Sequence, residues 1–209
     1  LAASNVTKYL TQWTMDDVES VGLLKIDFLG IRYLTMVSNI VEQIKKENPS
    51  FDITKINYVD QKVYNLFTQG RTEGIFQFES SGMKEKLRLL RPTEFNDIVA
   101  MNALYRPGPM AQIETYVRRK HGEEKVVYPH PHLEKILRET YGVIVYQEQI
   151  MLIAVNFARM SLNEADNMRR AVSKKKKEDL EYYGRIFIEK SIAAGYDLNI
   201  AKKLFDLIV

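Results

Sequence analysis

The sequence predicts an α+β fold that is predominantly helical, with a short strand-containing part over residues 1–58 and a larger helical part over residues 59–209. Three observations predict it. The stretch "GLLKIDFLG" alternates with the period of a strand. Apolar residues after Ile31 recur at helical spacing, and capping residues, glycines and prolines divide the rest of the chain into successive helices. No repeat or low-complexity linker interrupts this order.

Composition excludes several classes of protein. The 209 residues are 45% hydrophobic and 27% charged, enough for a buried core, and there is no cysteine for disulfides or Cys-zinc sites. No window approaches 18 apolar residues and the N-terminus lacks a signal-peptide pattern. We therefore expect a soluble, cytoplasmic protein without a membrane partner. A net charge of +3 is too mild to indicate nucleic acid by itself.

The strand-like stretch contains a charged group that calls for a partner. Ile26 and Phe28 alternate with Lys25, Asp27 and Leu29, so the two charged side chains share one face. An ionised carboxylate in apolar surroundings is costly unless a cation, a metal or several donors meet it. Asp27 is therefore either a ligand of some kind or an ordinary residue on the solvent face of a strand.

Helical segments follow in order. Leu34, Val37, Ile40 and Ile44 mark an amphipathic helix that Pro49 stops. Asp60 can cap the segment "QKVYNLFTQG", which Gly70 ends. A brief strand is predicted over residues 74–78, and Ser80 or Ser81 can cap the next helix. Another helix is predicted to start at Thr93.

The second half of the chain is predicted to be almost wholly helical. The rigid turn "RPGP", which contains Arg106, ends the helix that starts at Thr93. Ser161 and Glu164 have the spacing of a capping box, which marks the start of a further helix. The remaining predicted helices lie in the segments "MAQIETYVRRKHG", "HLEKILRETYG" and "YQEQIMLIAVNFARM" and over residues 178–194 and 198–209.

The positive charge is concentrated in residues 169–177, "RRAVSKKKK", which hold six basic groups and no acid. On one helix Arg170, Lys174 and Lys177 would form a single positive ridge. Arginine forks bind phosphate oxygens bidentately, so Arg169 and Arg170 suit a phosphate ligand better than lysines do. The alternative is a solvated helix face on which Asp166 pairs with Arg170.

Several stretches together resemble the bacterial replicative DNA polymerase III alpha subunits, in the C-family branch without a built-in exonuclease. They are "GLLKIDFLGIRYLT", "GIFQFESSGMK", "ALYRPGPM", "YGVIVYQEQIM" and "ADNMRRAVSKKK", and they follow the family's order over about residues 10–209. The resemblance implies that residues 1–58 are the closing part of a palm related to nucleotidyltransferases of the polymerase beta type. Residues 59–209 would be the fingers, cut off at their C-terminal end.

The resemblance also implies roles for individual residues. Asp27 would be the third of three catalytic aspartates and a metal ligand, and Lys25 would assist binding of the deoxynucleoside triphosphate. Arg169 and Arg170 would contact the phosphates of that nucleotide. The cofactor would be Mg²⁺, with two ions in the complete enzyme and Mn²⁺ able to replace them.

Further contacts are expected outside the reaction centre. Arg106, beside the stiff glycine turn, is a candidate contact to primer-template DNA, although the turn could equally only connect two helices, and Lys174 and Lys177 are weaker candidates for DNA binding. A sliding clamp and other replisome subunits would bind elsewhere on the complete protein. We expect the 209 residues to be a fragment that is inactive alone, because one carboxylate out of three cannot hold both metals.

Two other functions are compatible with parts of the pattern. A non-catalytic helical module could bind nucleic acid or another protein through residues 169–177, and Asp27 would then be a plain surface residue. A small metal-dependent phosphohydrolase is the third candidate, but the sequence lacks the second acidic cluster that it would need.

Overall fold

The computed structural model describes residues 11–26, 28, 30–174 and 177–209, and these residues form helices and irregular segments without a strand. They belong to two compact units, Leu1–Ile56 and Asn57–Val209. The predominance of helix predicted from the sequence is confirmed. The assignment of residues 1–58 to a palm and of residues 59–209 to fingers stays a prediction.

Among its described residues, the first unit contains two α-helices, α1 (Met15–Ser20) and α2 (Arg32–Glu47), and a 3₁₀ turn at Ile53–Lys55. Thr14 caps α1, since its side chain accepts from the backbone N–H of Asp17. The helix predicted from the spacing of Leu34 to Ile44 is confirmed as α2, and Lys45 and Lys46 place positive charge at its C-terminal end. No described residue of this unit is fully buried.

The strand predicted over "GLLKIDFLG" is absent from the described residues of that stretch, which are 22–26, 28 and 30. Leu24 is 84% exposed and Phe28 is 94% exposed, so neither packs into a core. A strand needs a neighbouring strand to satisfy its backbone N–H and C=O groups, and the described residues supply none. Asp27 itself lies outside the described residues.

The second unit is a set of packed helices. The predicted segments all contain helix, and three short 3₁₀ turns lie at 109–112, 131–133 and 138–140. The α-helices are α3 (Gln61–Thr68), α4 (Ser81–Leu90), α5 (Phe95–Leu104), α6 (Ile113–Lys120), α7 (Glu134–Leu137), α8 (Gln147–Asn156), α9 (Leu162–Lys174), α10 (Lys177–Ala193) and α11 (Leu198–Ile208).

Side-chain caps fix where these helices begin. Asp60 caps α3 by accepting from the N–H of Lys62 at 2.8 Å, and Ser80, the first of the two candidate serines, caps α4. The start of α5 lies later than predicted. Its N-cap is Glu94 rather than Thr93, because the Asp97 carboxylate turns back to accept from the backbone N–H of Glu94.

The segment "HLEKILRETYG" contains a much shorter helix than predicted. Only Glu134–Leu137 is α-helical, and Tyr141 takes a left-handed conformation with φ of 52°. The buried hydroxyl of Thr140 donates to the carbonyl of Val143 at 2.6 Å. Such a local side-chain bond competes with helical hydrogen bonding, so the chain turns at this point.

The brief strand predicted at residues 74–78 is wrong, since this segment folds into tight turns. The N–H of Ile75 donates to the carbonyl of Thr72, and the N–H of Phe78 donates to the carbonyl of Ile75. Gly74 and Gln77 both have positive φ, which a strand does not allow. The buried Thr72 hydroxyl closes the turns by donating to the carbonyl of Phe78 at 2.6 Å.

The core of the second unit consists of two apolar clusters. The first is built mainly from α3 to α6, and the second from α7 to α11. Close packing extends to α10 and α11, where a Cβ added to Gly184 would lie 2.7 Å from the ring of Phe205. Within the described part of the chain, no helix combines the length and apolar content that a membrane crossing needs.

Candidate functional site

The first turn of α8 is fixed by one buried side chain. Gln149 is 3% exposed, and its Oε1 accepts from the N–H groups of Val145 at 2.8 Å and Tyr146 at 3.0 Å. Its Nε2 donates to the hydroxyl of Thr140 at 2.9 Å and to the carbonyl of Ile136 at 3.2 Å. Because all these groups are satisfied within the protein, the start of α8 is held in one place.

The helix α9 carries the two arginines and is fixed at its own first turn. The predicted capping box is confirmed, since Glu164 accepts from the N–H of Ser161 at 2.7 Å and the Ser161 hydroxyl accepts from the N–H of Glu164. Lys190 on α10 donates to the same carboxylate at 2.8 Å. These contacts, with the bond from Lys190 the largest, lower the pKa of Glu164 to about 2.

Arg169 joins α9 to the start of α8. Its Nε and Nη2 donate to Oδ1 of Asp166 at 2.9 and 2.8 Å, and its Nη1 donates to Oε1 of Gln147 at 3.0 Å. The amide of Gln147 in turn donates to the hydroxyl of Ser173 at 3.4 Å. The Arg169 guanidinium is therefore held by side chains of two helices.

Arg170 lies beside the same carboxylate but is much more exposed. Its Nη2 is 2.8 Å from Oδ2 of Asp166, and its side chain is 61% exposed, against 23% for Arg169. Hydrogen bonds from Arg169 and the charges of both arginines lower the pKa of Asp166. The pairing of Asp166 with Arg170 agrees with the alternative reading of a charged helix face, and it leaves both guanidinium groups at the surface of α9.

The basic ridge predicted over Arg170, Lys174 and Lys177 is distributed over two helices. Lys174 is the last residue of α9 and Lys177 is the first residue of α10, and both are exposed. Among the described residues, the ion pair of Lys177 is a long contact of 3.9 Å with Glu181. Residues 175 and 176 lie outside the described residues. A role of these lysines in binding DNA stays a prediction.

Arg106 lies in a separate turn of the second unit. Its carbonyl accepts from the N–H of Met110, and Gly108 has a φ of 99°, a conformation that favours glycine. The turn is exposed. No hydrogen bond or ion pair of the described residues joins Arg106 to Arg169 or Arg170.

The predicted metal ligand and its neighbour belong to the first unit. Lys25 is exposed, and Asp27 lies outside the described residues. Among the residues that are described, no group of three or more Asp, Glu or His side chains could hold a metal ion. The described residues therefore do not by themselves supply a site for two Mg²⁺ ions.

Sequence reasoning missed the glutamines around the arginine pair. Tyr146 and Gln149 have the spacing of a capping box, so the anchoring of α8 could have been inferred locally. The contact of Gln147 with Arg169 could not, because it joins side chains 22 residues apart on different helices.

The family match and the similar proteins all point to the same bacterial subunit. Residues 33–195 match the family described as the bacterial DNA polymerase III alpha subunit finger domain. The chain is 54% identical over 204 residues to the DNA polymerase III subunit alpha of Staphylococcus aureus strain COL, and these matched residues are 97% of this chain. It is 52% identical to the subunit of the same name from Staphylococcus epidermidis. The chain spans 19% of the length of these relatives. It therefore belongs to the family of finger domains of bacterial DNA polymerase III alpha subunits.

Proposed function

We propose that this chain supplies the fingers, and the adjoining end of the palm, of a DNA-directed DNA polymerase that extends a primer with deoxynucleoside triphosphates in bacterial DNA replication. The observation that carries the proposal is the arginine pair of α9, where one carboxylate holds two guanidinium groups at the surface of a capped helix. Membership of the alpha-subunit finger family supplies the chemical context. The same context favours the catalytic reading over a module that only binds nucleic acid.

The arginine pair would form the binding site for the triphosphate of the incoming nucleotide. A guanidinium presents N–H donors in a planar fork that matches two phosphate oxygens at once. The two groups lie next to each other because Asp166 contacts both. A triphosphate carries more negative charge than one carboxylate, so it can replace the contact of Asp166 with the more exposed guanidinium.

The first unit would complete the palm together with the rest of the alpha subunit. We propose that residues 23–30 pair as a strand there, which would cover Leu24 and Phe28, both exposed in this chain. Asp27 would then be one of several carboxylate ligands of Mg²⁺, with Lys25 directed to the same nucleotide. The metal would supply activation of the primer hydroxyl and charge neutralisation at the triphosphate.

DNA and protein partners follow from the same proposal. Primer-template DNA would contact Arg106, Lys174 and Lys177, which are exposed on the second unit. Such contacts to phosphates release counterions, so binding should weaken steeply as salt rises. A sliding clamp and other replisome subunits would bind parts of the complete protein beyond this chain.

Primer extension by the complete alpha subunit, with Asp27 replaced by Asn, tests the proposal. We expect the D27N variant to lose activity by several orders of magnitude while it keeps the wild-type circular dichroism spectrum, because the substitution removes a metal ligand and little volume. The 209-residue chain alone should make no product. Near-normal extension by D27N would remove Asp27 from the site, and a complete wild-type chain that makes no product would overturn the proposed function.

A further inference from the structure

We propose that the two neighbouring arginines do different work: Arg170 binds the triphosphate directly, whereas Arg169 is a positioning residue that Gln147 and Asp166 hold in place. This inference rests on the proposed function. It deepens that function, because adjacent arginines in a basic segment are equivalent from the sequence alone, and only their contacts in the folded chain distinguish them.

The contacts of Arg169 leave little of its guanidinium for a ligand. Three hydrogen bonds engage Nε, Nη1 and Nη2, so every nitrogen of the group already donates within the protein. The side chain is only 23% exposed. These bonds use three of its five N–H donors, including the fork formed by Nε and Nη2, so the guanidinium joins α8 to α9 and offers phosphate fewer free donors than Arg170 does.

Arg170 has the opposite character. Its single ion pair engages Nη2, and no other hydrogen bond or ion pair to a described residue involves its Nε or Nη1. With 61% of the side chain exposed, the remaining donors face solvent. An exposed pair of this kind contributes little, so an incoming phosphate can compete for the arginine without disrupting a core.

Asp166 links the two roles. Its Oδ1 accepts from Arg169 and its Oδ2 contacts Arg170, so the less exposed arginine orients the carboxylate that in turn orients the more exposed one. A phosphate that displaces Oδ2 from Arg170 leaves the bonds of Oδ1 intact. Asp166 therefore holds Arg170 in position when no nucleotide is bound, and the contact between them breaks when the nucleotide binds.

Gln147 completes the support from the other helix. It accepts from Arg169 at 3.0 Å and donates to Ser173 at 3.4 Å, which spans one turn of α9. The first turn of α8 is itself fixed by the buried Gln149. Gln147 is exposed, so its replacement by Ala removes these contacts without opening a cavity in the core.

Steady-state primer extension by the complete alpha subunit separates the two roles. The variants are R170K, R169K and Q147A, with the double variants Q147A/R169K and Q147A/R170K. The matched control is R138K, because Arg138 also forms an exposed i,i+4 ion pair, with Glu134 at 3.1 Å, and has no role in the proposed site. Thermal melting of each variant reports folding.

We expect R170K to raise the KM for deoxynucleoside triphosphate about tenfold or more, since lysine keeps the charge and loses the bidentate fork. R169K and Q147A should each lower kcat/KM about threefold, and Q147A should have no further effect in R169K, because both remove the same support. In R170K the effect of Q147A should be smaller than in wild type, because the support from Gln147 acts through Arg170. R138K should match wild type.

Two results would separate failure of this inference from failure of the proposed function. The first result is an equal increase of KM in R169K and R170K, together with effects of Q147A and R169K that multiply in the double variant. This result would overturn the division of roles, while both arginines would still bind the triphosphate. The second result is that wild type extends primers and R170K has the same KM for deoxynucleoside triphosphate as the control R138K. Arg170 would then not bind the triphosphate. Complete absence of extension in wild type would instead contradict the proposed function itself. If R169K fails to fold, the effect of Q147A on kcat/KM in wild type and in R170K still tests whether Gln147 acts through Arg170.

Discussion

At the scale of single residues, the second unit contains a buried ion pair between α5 and α6. Asp97 is fully buried, and its Oδ2 lies 3.1 Å from Nζ of Lys120, whose side chain is 7% exposed. The same oxygen accepts from the N–H of Thr93 at 2.8 Å, while its other oxygen has no hydrogen-bond partner among the described residues. Burial, followed by the charge of Asp97, raises the pKa of the Tyr116 hydroxyl. Lys120 therefore supplies the countercharge of a fully buried carboxylate.

Replacement of Lys120 by Met should destabilise this chain by about 3 kcal/mol, because it leaves a buried carboxylate without its cation. Urea denaturation followed by circular dichroism measures the free energy of unfolding. The control is R138M, which breaks an exposed pair with Glu134 and should cost less than about 1 kcal/mol. Equal losses in the two variants would mean that the buried pair contributes no more than a surface pair.

At the scale of a helix, α9 depends on Glu164. This carboxylate caps the helix through Ser161 and accepts from Lys190 on α10, so one side chain both starts α9 and joins it to its neighbour. A carboxyl whose pKa is lower in the folded chain than its usual 4.5 stabilises the fold in its ionised form. That stability is complete above pH 4.5 and is lost as the pH falls toward the folded pKa of about 2.

The substitution E164Q should remove that pH-dependent part of the stability. We expect a loss of about 1 kcal/mol at pH 7, since the ion pair is partly exposed and the cap is only weakened. The difference from wild type should shrink as the pH falls below 4.5. Denaturant titrations at a series of pH values measure it. The matched control is E181Q on α10, because the contact of Glu181 with Lys177 is long and exposed. A difference in the free energy of unfolding between E164Q and wild type that stays constant at all pH values would contradict the prediction.

At the scale of the whole second unit, a buried amide connects the two apolar clusters. Val145 packs against the first cluster and Ile136 against the second. Gln149 accepts from the N–H of Val145 and donates to the carbonyl of Ile136. Buried polar groups that are fully satisfied in this way specify one arrangement of the surrounding elements.

Replacement of Gln149 by Leu should lower the free energy of unfolding by about 2 to 4 kcal/mol, because it leaves the buried N–H groups of Val145 and Tyr146 without acceptors. Thermal and urea unfolding measure the loss, and hydrogen exchange should show lower protection in both clusters. The matched control is Q147L in the same turn, an exposed glutamine whose contacts with Arg169 and Ser173 should contribute no more than about 1 kcal/mol. Lower protection confined to one cluster would mean that Gln149 does not couple them.

The sequence by itself determined the helical character of the chain and most helix starts. Caps such as Asp60, Ser80 and the pair of Ser161 and Glu164 act within one turn, so their effect can be recognised from local spacing. The helical spacing of apolar residues in α2 is equally local. The resemblance of several motifs to DNA polymerase III alpha subunits was also contained in the sequence, and the match over residues 33–195 supports it.

Only the tertiary structure decided that the described residues of the strand-like segments form no strand and how the arginines of α9 differ. A strand forms by pairing, so alternation over residues 23–30 or 74–78 cannot show whether a partner is present. The sequence presents Arg169 and Arg170 as equals, yet Gln147 on another helix engages only the first of them. Contacts between residues distant along the chain depend on how helices pack, and local spacing carries no information about that packing.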